Sequence, residues 1–135
     1  MKKILVGFDG SEGSEHALNR AMMLLEEFGE LILIAVIPSP SDKRFVDEEI
    51  YKKLKQKAKS MISDVIKDIG QHEFRVTGIV KEGDPAARII DIANKLNVDL
   101  IVLGSKGKSE LGQFPIGSVA NKVVQYAHKP VMVVR

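Results

Sequence analysis

The chain has 135 residues, a common size for one domain and enough to bury a core. Apolar residues make up 44% and charged residues 28%, and the net charge of +2 is interleaved along the chain, so no basic face points to nucleic acid. The absence of cysteine excludes disulfides and thiolate metal sites and is compatible with a reducing compartment.

In chain order, the opening MKKILVGFDG holds an apolar run too short for a signal segment or a membrane span, which reads as a cytoplasmic soluble protein beginning with a buried strand. SEGSEHALNRAMMLLEEFG predicts a helix, with Ala17, Leu18, Ala21, Met22, Leu25 and Phe28 at helical spacing and Gly29 as its C′ stop. ELILIAVIP is a second buried strand closed by Pro38, and PSPSDKRF is a loop. From Val46, the positions Ile50, Leu54, Ala58, Met61, Ile62, Val65 and Ile69 keep a helical stripe. Asp47, Glu48 and Glu49 lie at its start with lysines beyond, which suits the macrodipole. EFRVTGIVKEG is a third strand, less apolar, at or near a sheet edge. DPAARIIDIANKLN opens with Asp84 as N-cap and Pro85 at the first helical position. VDLIVLG is a fourth buried strand, GSVANKVVQYAHK a helix, and Pro130 starts the last strand, PVMVVR. This alternation, with nearly continuous apolar strands, predicts a single α/β domain over residues 1–135, a doubly wound parallel sheet covered on both faces.

Ligands in such folds bind outside the carboxyl ends of the strands. Two segments carry chemistry there, Asp9 after the first strand and the loop from Gly104 to Ser118 after the fourth. That loop places thirteen residues, 105–117, between strand and helix, where about 2–6 are usual. Its Gly-Lys-Ser suggests a Walker P-loop, but Gly104 and Gly107 are separated by two residues where that motif needs four. Gly104 and Gly107 let backbone N–H groups approach an anion and permit positive φ. Gly117 and Ser118 open a helix whose first N–H groups and positive dipole end suit phosphate, with Lys106 or Lys108 available for charge. A plainer reading makes Ser118 an N-cap, the glycines turns, and Asp9 a cap or Asx-turn residue.

The spacing Gly104-x2-Gly107-x9-Gly117-Ser118 resembles the nucleotide-binding signature of the universal stress protein family. KKILVGFDGSEGSEHAL is similar to that family's first strand and turn, EGDPAARIIDIANKLNVDLIVLG to its intervening helix and strand, and KPVMVV to its closing strand, so the resemblance covers the whole chain. It implies a five-stranded parallel sheet in the order 3-2-1-4-5. It further implies that Gly104, Gly107, Gly117 and Ser118 hold ribose and phosphates, with the backbone of Val119 helping. By the same resemblance Asp9 contacts the adenosine part above the turn at Gly7. Val36 or Ile37 lines the adenine pocket with Leu103 opposite, and the ligand is ATP with Mg²⁺ or Mn²⁺ held through the phosphates. Pro115 and the compact PSPSDKRF loop depart from the family pattern without removing a signature position.

Other constellations fit less well. GFDGSEG does not space its glycines as a dinucleotide fold does, and it lacks the Ser-Gly-Gly start of ATP pyrophosphatases. Asp9 is not the acid pair of a receiver domain, and His16, His72 and His128 share no ligand spacing. Fast hydrolysis needs a positioned base, for which only Asp9 offers. Three readings therefore stand, a nucleotide-binding regulatory protein, a slow ATPase switch, and a partner-binding domain without nucleotide. The partners expected are ATP and a second copy of the chain, with an unidentified protein partner possible and neither nucleic acid nor membrane. The last strand has a neighbour on one side only, so its apolar edge is expected to pair antiparallel with its counterpart in a homodimer. A monomer protected by Lys129 and Arg135 is the alternative.

Overall fold

The computed structural model describes residues 1–39, 47–105 and 117–135. Its elements are β1 (Lys3–Gly7), α1 (Glu12–Leu24), β2 (Glu30–Ile37), α2 (Glu48–Ile69), β3 (Arg75–Glu82), α3 (Pro85–Leu96), β4 (Leu100–Gly104), α4 (Ser118–Tyr126) and β5 (Val131–Val134). All strand pairs are parallel, in the order β3-β2-β1-β4-β5. The fold is the five-stranded α/β sheet that the apolar runs and the resemblance implied, and β3 does lie at an edge.

The period of two in each strand divides the core. Ile4, Val6, Leu31, Leu33, Leu100 and Val102 face α1 and α2, which contribute Ala17, Leu18, Ala21, Ala58 and Ile62. Leu5, Ile32, Ile34, Ile101 and Leu103 face α3 and α4, which contribute Ile89, Ile92, Ala120 and Val123. β1 and β4 are buried on both faces, so nearly every residue in them must be apolar. Each fully buried leucine or isoleucine contributes about 1.5–3 kcal/mol.

Helix starts follow the sequence closely. The Asp84 carboxylate accepts the Ala87 N–H at 3.0 Å with Pro85 at the first helical position, and Asp47 caps α2 by accepting the Glu49 N–H at 2.9 Å. Val46 lies outside the described residues. The end of α1 differs from expectation. The helix stops at Leu24, and Leu25 is already extended. The Glu26 N–H donates to the Met1 carbonyl at 3.0 Å, and the Gly29 N–H closes a turn onto the Glu26 carbonyl at 3.0 Å. Phe28, expected on the apolar face, adopts φ 62° and is 86% exposed. Gly29 is therefore no helix stop. A Cβ there would lie 2.9 Å from the carbonyls of both Glu26 and Lys2, so glycine is required by close passage beneath β1.

An approach of sheet against helix backbone lies at the carboxyl end of β4. A Cβ on Gly104 would lie 2.6 Å from the carbonyl carbon and oxygen of Gly13, in the first turn of α1. Backbone cannot swing aside. At Gly7, by contrast, the nearest atom is Leu103 Cδ2 at 2.7 Å, the end of a flexible side chain. Gly104→Ala should therefore destabilise the protein by about 1–3 kcal/mol, and Gly7→Ala by less. Urea unfolding midpoints of the two variants check the order, and equal midpoints would contradict it.

Candidate functional site

The carboxyl ends of β1 and β4 lie side by side at the centre of the sheet, where the chain order reverses, with β2 beyond β1. The expected site residues that are described lie at these strand ends and at the start of α4. Asp9 follows β1 and is exposed. Its Oδ1 accepts the Ser11 N–H at 2.9 Å, an Asx-turn. The helix cap itself is Ser11, whose Oγ accepts the Ser14 N–H at 3.2 Å. Ser14, buried beneath the turn, donates its hydroxyl proton to the Ser11 carbonyl at 2.9 Å. Of the two plainer roles for Asp9, the turn is present and the cap belongs to Ser11. The turn fixes the carboxylate beside the first strand's end.

At β4, Leu103 is buried and Gly104 closes the strand. Gly104 is not among the positive-φ glycines, so its lack of a side chain serves contact with Gly13 and not an unusual turn. The next residue, Ser105, was not singled out in the sequence, yet it joins three elements. It is buried, its N–H donates to the Val134 carbonyl at 2.8 Å, and its carbonyl accepts the N–H of Gly117. The thirteen-residue connection thus begins and ends at one point. Gly107, Lys106, Lys108 and Pro115 lie outside the described residues.

Gly117 is the N-cap of α4, with φ −68° and ψ 163°. Ser118 is the first helical residue, not the cap that the plainer reading made it. The contrast with the other helices is chemical. Side chains of Ser11, Asp47 and Asp84 each accept a first-turn N–H of α1, α2 and α3, whereas Gly117 brings no side chain to α4. The start of α4 keeps its positive dipole end without a capping oxygen from its N-cap.

The strand alternation separates the two candidates on β2. Val36 packs on the α3 and α4 side, with Leu103 and Val119, and Gly7 meets Leu103 on that same side. Ile37 packs on the opposite side, against the α1 and α2 cluster. Gly7, Val36, Leu103 and Val119 therefore share one apolar face at the strand ends, with Gly117 and Ser118 opening α4 and Asp9 across the first turn. Ile37 does not join them. Gly13 was also missed in the sequence, although a glycine in a helix's first turn, where it costs stability, was a visible anomaly. Among the described residues no group of three or more His, Cys, Asp or Glu could hold a metal ion, and no helix is long and apolar enough to cross a membrane.

This face presents backbone N–H donors at a helix start, one exposed carboxylate as acceptor, and an apolar wall. That set suits an anion joined to a flat apolar group and a hydroxyl-bearing linker.

Comparison with known proteins agrees with the architecture. The model of the universal stress protein family matches residues 1–135. Universal stress protein MJ0577 of Methanocaldococcus jannaschii is 33% identical over an alignment 154 positions long, gaps included, spanning 99% of this chain and 94% of that protein. The solved structure of MJ0577 superposes with a TM-score of 0.89 over 98% of this chain and 94% of its own. Universal stress protein YxiE of Bacillus subtilis is 32% identical, over 98% of each chain. Two more distant structures share the fold, both 24% identical. One is a universal stress protein in complex with cAMP, with a TM-score of 0.64 over 99% of this chain and 97% of that one. The other is the universal stress protein from Archaeoglobus fulgidus in complex with dAMP, with a TM-score of 0.62 over 100% of this chain and 98% of that one. A family match across the whole chain, joined to this sheet order, means that the chain belongs to the universal stress protein family.

Proposed function

We propose that residues 1–135 form one nucleotide-binding regulatory domain of the stress response, in which bound ATP sets conformation or partner choice. The ligand lies in the crevice at the carboxyl ends of β1 and β4, with Mg²⁺ or Mn²⁺ held through its phosphates. The observation that carries this reading is the start of α4. A helix opened by glycine, tied to the end of β4 by the Gly117 N–H to Ser105 carbonyl bond, presents its dipole end at the strand termini. Gly104, Gly107, Gly117 and Ser118 hold ribose and phosphates, and Val119 adds its backbone. Val36, Leu103 and Gly7 flank adenine, and Asp9 takes the adenosine part. Ile37 contributes at most through its backbone, because its side chain packs on the other face. The cAMP and dAMP complexes of the same fold support an adenine nucleotide as the ligand class.

Calorimetry with Mg²⁺ and ATP should detect binding to the wild-type protein. Gly117→Val should abolish it while the protein stays folded with a slightly lowered melting temperature, because φ −68° is open to any residue but valine is a poorer N-cap than glycine. Asp9→Ala should weaken both adenosine and ATP by about tenfold, the loss of a charged hydrogen bond. Wild-type affinity in both variants would move the site elsewhere. No ATP binding at millimolar nucleotide would remove the reading, and turnover in the same samples separates a binding switch from a slow ATPase.

The same protein is proposed to dimerise through β5. The Ile101 N–H bonds the Pro130 carbonyl at 2.9 Å and the Ser105 N–H bonds the Val134 carbonyl at 2.8 Å, so even-numbered residues face β4. Val131 and Val133 consequently turn their N–H and C=O groups outward, as antiparallel pairing with a second β5 requires. Val133→Pro deletes an outward donor and leaves the β4 ladder intact, so light scattering should find monomer for the variant and dimer for wild type. Wild-type monomer at micromolar concentration would overturn the pairing.

A further inference from the structure

The opposite edge of the sheet has its own chemistry, independent of the nucleotide reading. β3 is eight residues long and ends the strand order. The Arg75 N–H donates to the Gly29 carbonyl at 2.8 Å, and the Gly83 N–H to the Ile37 carbonyl at 2.9 Å. Odd-numbered residues between them thus bond β2, and Val76, Gly78, Val80 and Glu82 direct their N–H and C=O groups outward. Among the described residues no hydrogen bond reaches the outward groups of Val76, Gly78 or Val80.

That open backbone borders a groove of about 470 Å³ between β3 and α2. Apolar Ile62, Ile66, Gly78 and Val80 line it, together with Lys59 and Lys67. Gly78 brings strand and helix close, since a Cβ there would collide with Ile62 Cγ2. Lys55, Lys59 and Lys67 follow one face of α2, at spacings of four and eight residues. The first of them shows what the stripe accepts. Glu82, an outward-turned residue of the edge strand itself, receives a hydrogen bond from the Tyr51 hydroxyl and lies 3.9 Å from Lys55 Nζ. That bond to a carboxylate pushes the Tyr51 hydroxyl above its ordinary titration range. Lys59 and Lys67 have no such carboxylate among the described residues.

We propose that this groove binds an acidic, alternately apolar extended segment of a partner protein, which adds to β3 as a sixth strand. Its backbone pairs with Val76, Gly78 and Val80, its apolar side chains pack on Ile66 and Val80, and its carboxylates meet Lys59 and Lys67. Main-chain bonds supply affinity and the alternating side chains supply selection, as in other strand-addition sites. Charge decides against a second copy of this chain. Antiparallel pairing of two β3 edges about a twofold axis sets the two lysine stripes against each other, where like charges repel.

The test uses a fluorescein-labelled peptide of the same eight-residue length as β3, alternating valine with glutamate and threonine, and its lysine-for-glutamate counterpart. Anisotropy should show the acidic peptide binding and the basic one not. The double variant Lys59→Glu with Lys67→Glu should weaken binding by at least about tenfold. Val80→Pro, which deletes an outward N–H that the β2 ladder does not use, should do the same. Hydrogen exchange on the wild-type protein, which needs no variant to fold, should slow at the amides of Gly78 and Val80 when the acidic peptide is added. Equal binding of both peptides, wild-type affinity in the charge-reversed variant, or unchanged exchange at those amides would overturn the proposal. So would a concentration-dependent dimer that Val80→Pro abolishes, because the occupant would then be a second copy.

Discussion

One contact without side chains fixes the centre of this molecule. The first turn of α1 rests its Gly13 backbone directly on Gly104 at the end of β4, closer than any Cβ would permit. Through that contact the turn that carries Asp9 and Ser11 is seated against the strand that leads into Ser105. Ser105 then ties together the end of β5 and the start of α4. Two connections and the end of β5, distant in sequence, meet beside a contact that a methyl group on Gly104 would wedge apart. The relative placement of the β1, β4 and β5 ends and the start of α4 follows from this packing.

Much of this was legible in the sequence, for reasons that can be named. Buried parallel strands demand unbroken apolar runs, and ILVG, LILIAVI and LIVLG could be little else. Asp84 with Pro85 wrote its helix start in local chemistry, and the structure uses both residues as expected. The strand order came from family resemblance, because local pattern does not say which strand pairs with which. The end of α1 misled because apolar spacing continues through Leu25 and Phe28. Tertiary competition ends the helix there, with the Met1 carbonyl taking the Glu26 N–H. The length of the connection after β4 stood out in the sequence. The role of Gly104 did not, since a demand for closeness between layers leaves the same glycine in the sequence as a demand for unusual φ. Likewise Val36 and Ile37 are equivalent in composition, and only the register of β2 against β1 assigns them to opposite faces.

The two sheet edges are built unlike one another. β5 is four residues long and uniformly half-buried, apolar throughout, with nothing charged among its strand residues. β3 is twice as long, more exposed, and lies beside a helix studded with lysine. An edge of the first kind selects a like-shaped apolar neighbour, whereas the second selects by charge. A single sheet can therefore present two contact surfaces that do not compete for one partner.

The central place of β1 has a consequence for how the protein is made. β1 is translated before the other strands, yet its second neighbour, paired as Ile4 with Leu100 and Val6 with Val102, follows almost a hundred residues later. At a synthesis rate of about 5–20 residues per second, that gap lasts about 5–20 s. During it, β1, β2 and β3 can assemble with α1 and α2 on one face, while Leu5, Ile32 and Ile34 on the other await helices not yet translated. Any sheet formed by β1, β2 and β3 in that interval would leave one apolar face wet and the second edge of β1 unpaired. Exposed apolar surface and an unpaired strand edge of that kind favour association with other chains.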